Sequence, residues 1–369
     1  MLKKALYLAG GGARGAYQAG VLKAIAHILQ VKRLPFDSVT GVSVGSVNAA
    51  VLAECADDFP AAVDKLEYIW GDIRCGKIYK ASNFEISKSL LRYCSNVLLR
   101  QRQAGQLLDT TPLREFLNEN ISFDKIEQNI LNNYLECFEV ICRCYETHQT
   151  VSFYNHIQPA FPDWDYPRHI SNRCSIQVQH ILASGALPLF FPPVNIDGLH
   201  YGDGSMGLVA PLRGAIRFQM DKILILGTRE LPESIITETM RKKDIAFAHV
   251  LGNMMSGLFL DNLDREIEMV NHMNQIATLL SLWKKRHSTW RPITTLHLRP
   301  SQDIASLAQA HFCNMPVFLR FLLNTLGANS HSGDLLSFLL FEKQFTRVLL
   351  DLGFKDTIAV SDQVEQFFE

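Results

Sequence analysis

The chain has no Cys-x-x-Cys pair, no long apolar run and no excess of either charge. Its eight cysteines are scattered over 369 residues, so the paired spacing typical of a zinc site is missing. The formal net charge is −1, which gives no strong electrostatic attraction to nucleic acid. These features indicate reduced thiols in a cytosol-like compartment and predict neither a metal site nor nucleic-acid binding.

A secretory leader and a membrane-spanning helix are not predicted either. The first apolar run stops at Gly10 after about six residues, short of the 7–15 that a signal peptide needs. Prolines interrupt the uncharged stretch 182–195, and the stretch 245–260 is too short to cross a bilayer comfortably. We therefore expect a cytoplasmic protein with peripheral membrane association. Delivery as a secreted effector without a cleavable signal is compatible with this pattern.

Short apolar runs and helical periodicities alternate in the first 54 residues. Residues 5–9 and 38–42 read as buried strands, and residues 16–30 and 44–54 have the apolar spacing of helices. This repeat of strand, glycine turn and helix is typical of an α/β fold with a parallel sheet. Hydrophobic residues make up 47% of the chain, enough for a sizeable core.

The rest of the chain predicts further elements of both kinds. Residues 136–145 and 150–155 look like a β-hairpin, residues 176–184 like a helix, and residues 222–227 and 294–298 like strands. Residues 68–117 are mostly helical in pattern, and we interpret them as a helical insertion. The pattern is helical again from residue 301 to the end, including residues 335–352.

The first motif connects the first predicted strand to the first predicted helix, and it admits three interpretations. Its glycines satisfy the G-x-G-x-x-G spacing of dinucleotide-binding loops. They are equally suited to expose backbone N–H groups to a reacting carbonyl as an oxyanion hole, or to form a tight turn without a ligand. The motif reads Gly10-Gly11-Gly12-Ala13-Arg14-Gly15.

The second motif also lies between a predicted strand and a predicted helix, and it reads Gly41-Val42-Ser43-Val44-Gly45. In that context G-x-S-x-G is typical of a nucleophile elbow, in which a strained serine stands at a helix N-terminus. The turn needs small neighbours, which Gly41 and Gly45 supply. Dinucleotide binding is disfavoured, because the acidic residue that it requires, Asp37, precedes the second strand instead of following it. Ser43 is the candidate nucleophile.

A serine nucleophile needs a base, and a third motif offers one. Asp203 lies on a tight glycine-bounded turn, although such Asp-Gly turns are also common without a function. With 12 histidines in the chain, a Ser-His-Asp triad stays open as well. His200 is the histidine nearest to the motif, which reads Tyr201-Gly202-Asp203-Gly204-Ser205.

Together the three motifs resemble the patatin-like phospholipase family in order and in context. The glycine-rich segment looks like the family's oxyanion loop, residues 41–45 like its nucleophile elbow, and Asp203-Gly204 like its catalytic Asp-Gly pair. Residues 183–188 and 191–194 are similar to the family's Ala-Ser-x-Ala-x-Pro and Phe-Pro-Pro blocks. Similarity to bacterial patatin-like proteins extends to residues 263–274, 300–307 and 335–356. Ser205 departs from the family, which more often has glycine or alanine there.

This resemblance implies a three-layer α/β/α patatin-type fold with a mainly parallel central sheet. It implies a Ser43–Asp203 dyad without histidine, with backbone N–H groups around Gly11 and Gly12 as the oxyanion hole. The expected activity is hydrolysis of fatty-acyl esters in phospholipids or lysophospholipids through an acyl-enzyme, at a membrane surface and without a cofactor or metal. We expect the hydrolytic domain over residues 1–300 and a helical extension packed on it over residues 301–369.

Several alternatives stay open at the level of sequence. One is a neutral-lipid esterase or thioesterase on the same fold, and another is a non-catalytic nucleotide- or lipid-binding protein. Arg14 holds the glycine-rich loop, meets a phosphate or is a surface arginine over the start of the helix. Phe190 and Phe191 either line an acyl channel or pack in the core. The basic stretch over residues 77–102 either contacts anionic lipid headgroups or forms a solvated helix face.

Overall fold

The computed structural model describes residues 2–80, 108–230, 247–259, 262–279, 291–325 and 333–369. In these ranges ten strands form a single sheet. The strands are β1 (Lys4–Leu8), β2 (Ser38–Val42), β3 (Cys137–Cys144), β4 (Thr150–His156), β5 (Asp165–Tyr166), β6 (His169–Arg173), β7 (Val194–Ile196), β8 (Leu199–Asp203), β9 (Lys222–Leu226) and β10 (Thr294–Leu298).

The described helices cover both faces of this sheet. Two short 3-10 turns occupy Gly12–Arg14 and Phe312–Asn314. The α-helices are α1 (Gly15–Leu29), α2 (Val44–Glu54), α3 (Phe59–Gly71), α4 (Cys75–Ile78), α5 (Thr111–Asn120), α6 (Phe123–Leu131), α7 (Val178–Ser184), α8 (Arg213–Arg217), α9 (Phe247–Phe259), α10 (Asn262–Leu279), α11 (Ile304–Ala310), α12 (Val317–Thr325), α13 (Gly333–Leu339), α14 (Lys343–Ile358) and α15 (Ser361–Phe368).

The sheet is mainly parallel and has the order β10-β9-β1-β2-β3-β4-β6-β5. Neighbouring strands from β10 to β3 are parallel, and β3 and β4 form an antiparallel hairpin. Successive side chains of β1 alternate between two cores: Leu6 and Leu8 pack with α1 and α2, whereas Ala5 and Tyr7 pack with α8. The predicted α/β class with a mainly parallel sheet and helical layers is confirmed.

Most elements lie where the sequence predicts them. Both strand–turn–helix units, the hairpin and the strand β10 agree with prediction within about two residues at each boundary, the usual uncertainty of helix and strand ends. The helical pattern over residues 335–352 corresponds to two helices, because α13 ends at Leu339 and α14 begins at Lys343. Between them Glu342 is extended and forms an isolated antiparallel bridge with Arg74, so a tertiary contact interrupts the helix.

Parts of two predicted regions lie outside the described residues. Residues 81–107 belong to the predicted helical insertion and include most of the basic stretch; the flanks of the insertion form α3, α4 and α5. Residues 245, 246 and 260 belong to the second uncharged stretch, of which α9 covers the remainder. Among the described helices, none is long and apolar enough to cross a membrane.

The C-terminal helices pack closely on the first part of the chain. Helix α14 lies along α1, and two glycines allow the backbones to approach. A Cβ at Gly20 would overlap with the carbonyl of Leu350, and a Cβ at Gly353 would overlap with that of Tyr17. The domain boundary at residue 300 stays a prediction.

A buried acidic group lies beneath α8, on the face of the sheet formed by Ala5 and Tyr7. Glu139 of β3 accepts a hydrogen bond from Thr40 Oγ1 at 2.8 Å, and burial raises the pKa of Glu139 to about 7. Gly214 lies directly over its carboxyl group, where a Cβ would overlap with both carboxyl oxygens. The helix therefore approaches the sheet as closely as a glycine permits.

We predict that Gly214→Ala destabilises the protein by about 1–3 kcal/mol, because the added methyl group forces α8 or Glu139 to move. Gly76→Ala in α4 is the matched control, since a Cβ there meets nothing within 4 Å. Urea unfolding should show the loss for Gly214→Ala and no loss for Gly76→Ala. Equal stability of the two variants would contradict the close packing of α8.

Candidate functional site

The two candidate catalytic motifs meet at one edge of β3. Strand β2 runs parallel to β3 and ends with Val42 opposite Ile141. Strand β8 runs antiparallel along the continuation of the same edge and ends with Asp203 opposite Cys142. The ends of β2 and β8 therefore approach each other, and Ser43 and Asp203 line one pocket.

Ser43 lies on a sharp turn between β2 and α2. It is buried and has φ 53° and ψ −127°, a strained conformation that costs about 1–3 kcal/mol. A Cβ at Gly41 would overlap with the backbone of Ser46, and a Cβ at Gly45 would overlap with the carbonyl of Leu8. Only glycines fit at both positions, which gives a steric reason for the G-x-S-x-G pattern.

Residues 183–188 hold both motifs in place, a role that the sequence analysis did not assign. The hydroxyl of Ser184 donates to the carbonyl oxygen of Ile141 at 2.6 Å and accepts a hydrogen bond from the Ser43 amide at 2.9 Å. The amide of Asp203 donates to the carbonyl oxygen of Ala186 at 3.1 Å, and the amide of Gly204 donates to the carbonyl oxygen of Ser184 at 3.3 Å. In the sequence, the sign of this role is the similarity of residues 183–188 to the Ala-Ser-x-Ala-x-Pro block of patatin-like proteins.

Asp203 is fully buried beside Ser43. Its Oδ1 accepts a hydrogen bond from the Ser205 amide at 2.9 Å, whereas Oδ2 has no hydrogen-bond partner among the described residues. Burial raises the pKa of Asp203 to about 6, although the nearby hydroxyls of Ser43 and Ser205 and the Ser205 amide oppose the shift. A carboxylate with a raised pKa is a stronger base than one in water and is still mostly ionised at pH 7.

The glycine-rich segment approaches the same two residues from the end of β1. Gly11 and Gly12 have φ 153° and 57°, values that favour glycine. Both line the pocket with Ser43 and Asp203. The Gly11 amide has no acceptor among the described residues, and the Gly12 amide opens a 3-10 turn, where it has no intrahelical partner. These two N–H groups are suited to receive a ligand oxygen.

Several other residues of the glycine-rich segment 10–15 and of the Asp203-Gly204 motif have packing roles. Ala13 is buried in the core, and a Cβ at Gly15 would press against Val44 and Trp70. A Cβ at Gly10 would touch Ser43 and Ser205, and one at Gly204 would overlap with the Ile141 carbonyl. The backbone around the two candidate catalytic residues is therefore closely packed.

Arg14 does not line the pocket. It is 1% exposed, and its guanidinium group donates hydrogen bonds to Ser337 Oγ at 2.7 Å and Asp334 Oδ1 at 2.9 Å. Of the three interpretations of Arg14, this geometry favours the one in which the side chain holds the glycine-rich loop. The interpretation as a surface arginine is wrong, because the side chain is buried.

The pocket itself is strongly apolar. The space that its walls outline, including the part open to solvent, is about 740 Å³. Among the described residues that line it, only the side chains of Ser43, Asp203 and Trp70 carry polar atoms. The Trp70 indole nitrogen donates to Asn48 Oδ1 at 2.8 Å. The lining residues are Gly11, Gly12, Ser43, Val44, Val47, Ile69, Trp70, Ile73, Ile78, Leu113, Phe116, Leu117, Ile181, Gly185, Leu187, Phe191, Asp203, Phe338 and Phe341.

In two pairs of candidate residues, one member lines the pocket and the other does not. Phe191 lines the pocket, whereas Phe190 is buried in the core. Asp203 lines the pocket, whereas His200 lies three residues earlier with its side chain 52% exposed and its ring Nδ1 2.8 Å from Glu146 Oε1. No histidine is among the described residues that line the pocket.

The described part of the chain also contains no group of three or more His, Cys, Asp or Glu side chains arranged to hold a metal ion. Its cysteines are all unpaired, namely Cys55, Cys75, Cys137, Cys142, Cys144, Cys174 and Cys313.

Comparison with known proteins places the chain in a family. The model of the patatin-like phospholipase family matches residues 6–216, more than half of the chain, and the chain belongs to this family. No curated protein sequence matches significantly. Among solved structures, the chain is similar to the crystal structure of VipD from Legionella pneumophila, with 11% sequence identity and a TM-score of 0.34, over 95% of this chain and 67% of that chain. A likeness at this level does not establish a shared activity.

The position of Ser205 yields a prediction about pH. A base acts only when it is unprotonated, so activity that depends on Asp203 should fall as the pH drops through about 6. Ser205→Ala removes a hydroxyl that lowers the pKa of Asp203. The acidic limb of the kcat/KM profile should therefore move to higher pH. A limb that stays in place or moves to lower pH would contradict the influence of Ser205 on Asp203.

Proposed function

We propose that the protein is a serine lipid acyl hydrolase of the phospholipase A or lysophospholipase type. The observation that carries the proposal is the placement of Ser43 and Asp203 together in an otherwise apolar pocket. Membership of the patatin-like phospholipase family supports lipid acyl hydrolysis as the general class of activity.

In the proposed reaction, Asp203 accepts the proton of Ser43 Oγ while this oxygen attacks the ester carbonyl carbon. The carbonyl oxygen becomes an oxyanion, which the N–H groups of Gly11 and Gly12 stabilise. Collapse of this intermediate breaks the ester bond, and the proton held by Asp203 passes to the departing alcohol. Water then attacks the acyl-enzyme and gives a proton to Asp203. The bond between the acyl carbon and Ser43 Oγ breaks, the proton passes from Asp203 back to Ser43 Oγ, and the fatty acid leaves.

The surroundings of Asp203 suit it to this role without a histidine. An aspartate in water is a weak base, with a pKa near 3.9. The buried carboxyl of Asp203 has a pKa of about 6, and its free Oδ2 has no competing partner among the described residues. The hydrogen bond between a nucleophile and its base is often long in a free enzyme and shortens when substrate binds.

The pocket lining supports a lipid acyl ester as the substrate. A fatty-acyl chain gains about 0.8 kcal/mol for each CH₂ group that it buries. The described residues of the lining offer almost no polar groups to a nucleotide. The orientation of Arg14 away from the pocket likewise disfavours binding of a phosphate there. A neutral-lipid esterase or thioesterase would use the same residues, and rates on lipids with and without headgroups separate these activities.

Contact with membranes remains a prediction. With Phe190 in the core, the exposed neighbour Leu189 is the better candidate for such a contact. Flotation with phospholipid vesicles should show weak, reversible association, and salt-resistant integration would contradict it.

The dyad predicts a distinct ranking of three variants in fatty-acid release from phospholipid and lysophospholipid vesicles. Ser43→Ala should abolish turnover because it removes the nucleophile. Asp203→Asn should reduce kcat by about 10²–10⁴, because asparagine keeps the shape of the side chain but cannot accept the proton. His200→Asn is the control and should cost less than about tenfold.

Circular dichroism spectra should show that all three variants keep the fold. An active Asp203→Asn variant together with an inactive, folded His200→Asn variant would contradict the dyad and indicate a triad. Absence of ester hydrolysis by the wild-type protein on every lipid class would contradict the proposed function as a whole.

A further inference from the structure

The guanidinium group of Arg14 links the glycine-rich loop to a helix near the other end of the chain. Arg14 closes the 3-10 turn that begins at Gly12, so it follows the proposed oxyanion donors directly. Its Nε donates to Ser337 Oγ at 2.7 Å and its Nη2 to Asp334 Oδ1 at 2.9 Å. Both acceptors belong to α13. The guanidinium carbon also lies 4.9 Å from the centroid of the Phe338 ring, within the range of a cation–π contact.

The backbone of the loop contacts the same helix. A Cβ at Gly12 would overlap with the carbonyl group of Phe338, so the loop and α13 are in direct contact at the proposed oxyanion hole. Thr228, just beyond β9, holds the other side of the loop. Its hydroxyl donates to the Gly10 carbonyl oxygen at 2.5 Å, and its own carbonyl oxygen accepts from Arg14 Nη1 at 3.3 Å.

Helix α13 is itself fixed in the fold and reaches the pocket. A Cβ at Gly333 would overlap with the Ala305 carbonyl of α11, and the Tyr79 hydroxyl donates to the Leu339 carbonyl oxygen at 3.2 Å. Phe338 lines the pocket. The whole helix lies beyond residue 216, where the match to the family model ends.

We propose that α13 positions the oxyanion loop, with Asp334 and Ser337 as positioning residues that act through Arg14. The inference rests on the proposed function, because the loop matters to catalysis only if it binds an oxyanion. Its consequence is that hydrolysis depends on a segment outside the part of the chain that matches the family.

The burial of Arg14 explains why these two partners matter. A buried guanidinium that loses its direct ion-pair partner keeps only the longer-range attraction of other carboxylates, here Glu230 and Asp303 among the described residues, which is unfavourable away from water. Relief requires Arg14 to move toward solvent, and the adjacent turn that carries the Gly11 and Gly12 amides must move with it. A donor displaced by about 1 Å stabilises the transition state poorly, at a cost of up to about 10²-fold in rate.

The test uses the full chain with Ser337→Ala, Asp334→Asn and the double variant. Asp351→Asn, which removes an exposed carboxylate on α14, is the matched control. We expect kcat of the double variant to fall by about 10–100-fold with KM nearly unchanged, because the loop acts on the transition state and not on substrate binding. Ser337→Ala keeps the ion pair and should give a smaller loss, which provides a readout if the other variants do not fold.

Hydrogen exchange of the peptide covering residues 10–15 provides a readout independent of turnover. Exchange should become at least tenfold faster in the double variant and stay unchanged in Asp351→Asn. Wild-type kcat and wild-type exchange in the folded double variant, or faster exchange without loss of kcat, would overturn the proposal. If the wild-type protein hydrolyses no ester, the proposed function fails. Faster exchange in the double variant would then still support loop positioning by α13, and unchanged exchange would overturn it.

Discussion

The shared edge of β3 is the constraint on which the candidate site depends. Strand β2 pairs with this edge as far as Ile141, and β8 pairs with it from Cys142 onward in the opposite direction. Two strands cannot pair with the same backbone groups, so each must end where the other begins. The turn after β2 carries Ser43, and Asp203 is the last residue of β8. Backbone pairing thus brings together two side chains that are far apart in sequence.

Close backbone approach and burial complete the site around this junction. The Ser184 hydroxyl joins the Ser43 amide to the Ile141 carbonyl oxygen, and glycines at positions 41, 45 and 204 leave no room for side chains. The same dense packing removes water from Asp203 and raises its pKa to about 6. A single feature, tight packing at the sheet edge, therefore accounts for the strained serine and for the basic carboxylate.

Local sequence signals predicted what depends on neighbouring residues. Apolar runs followed by glycine turns predicted β1, α1, β2 and α2, and motif context predicted Ser43 and Asp203 as candidates. Contacts between distant segments were not predictable in this way. The partners of Arg14 lie on α13, and no local pattern indicates which acceptors a buried guanidinium will meet. The break between α13 and α14 within the helical pattern over residues 335–352 has a similar origin, since it coincides with the bridge between Arg74 and Glu342.

The central claim is that Ser43 attacks an ester while the glycine-rich loop binds the oxyanion and Asp203 acts as the base. A crystal structure of the protein with an alkyl phosphonate bound covalently to Ser43 tests it most directly, because the phosphonyl oxygen occupies the oxyanion position. We expect this oxygen within about 2.7–3.1 Å of the backbone nitrogen of Gly11 or Gly12, with the Asp203 carboxyl beside Ser43 Oγ. A phosphonate bound to another serine, or a phosphonyl oxygen held by a histidine or by solvent alone, would contradict the account.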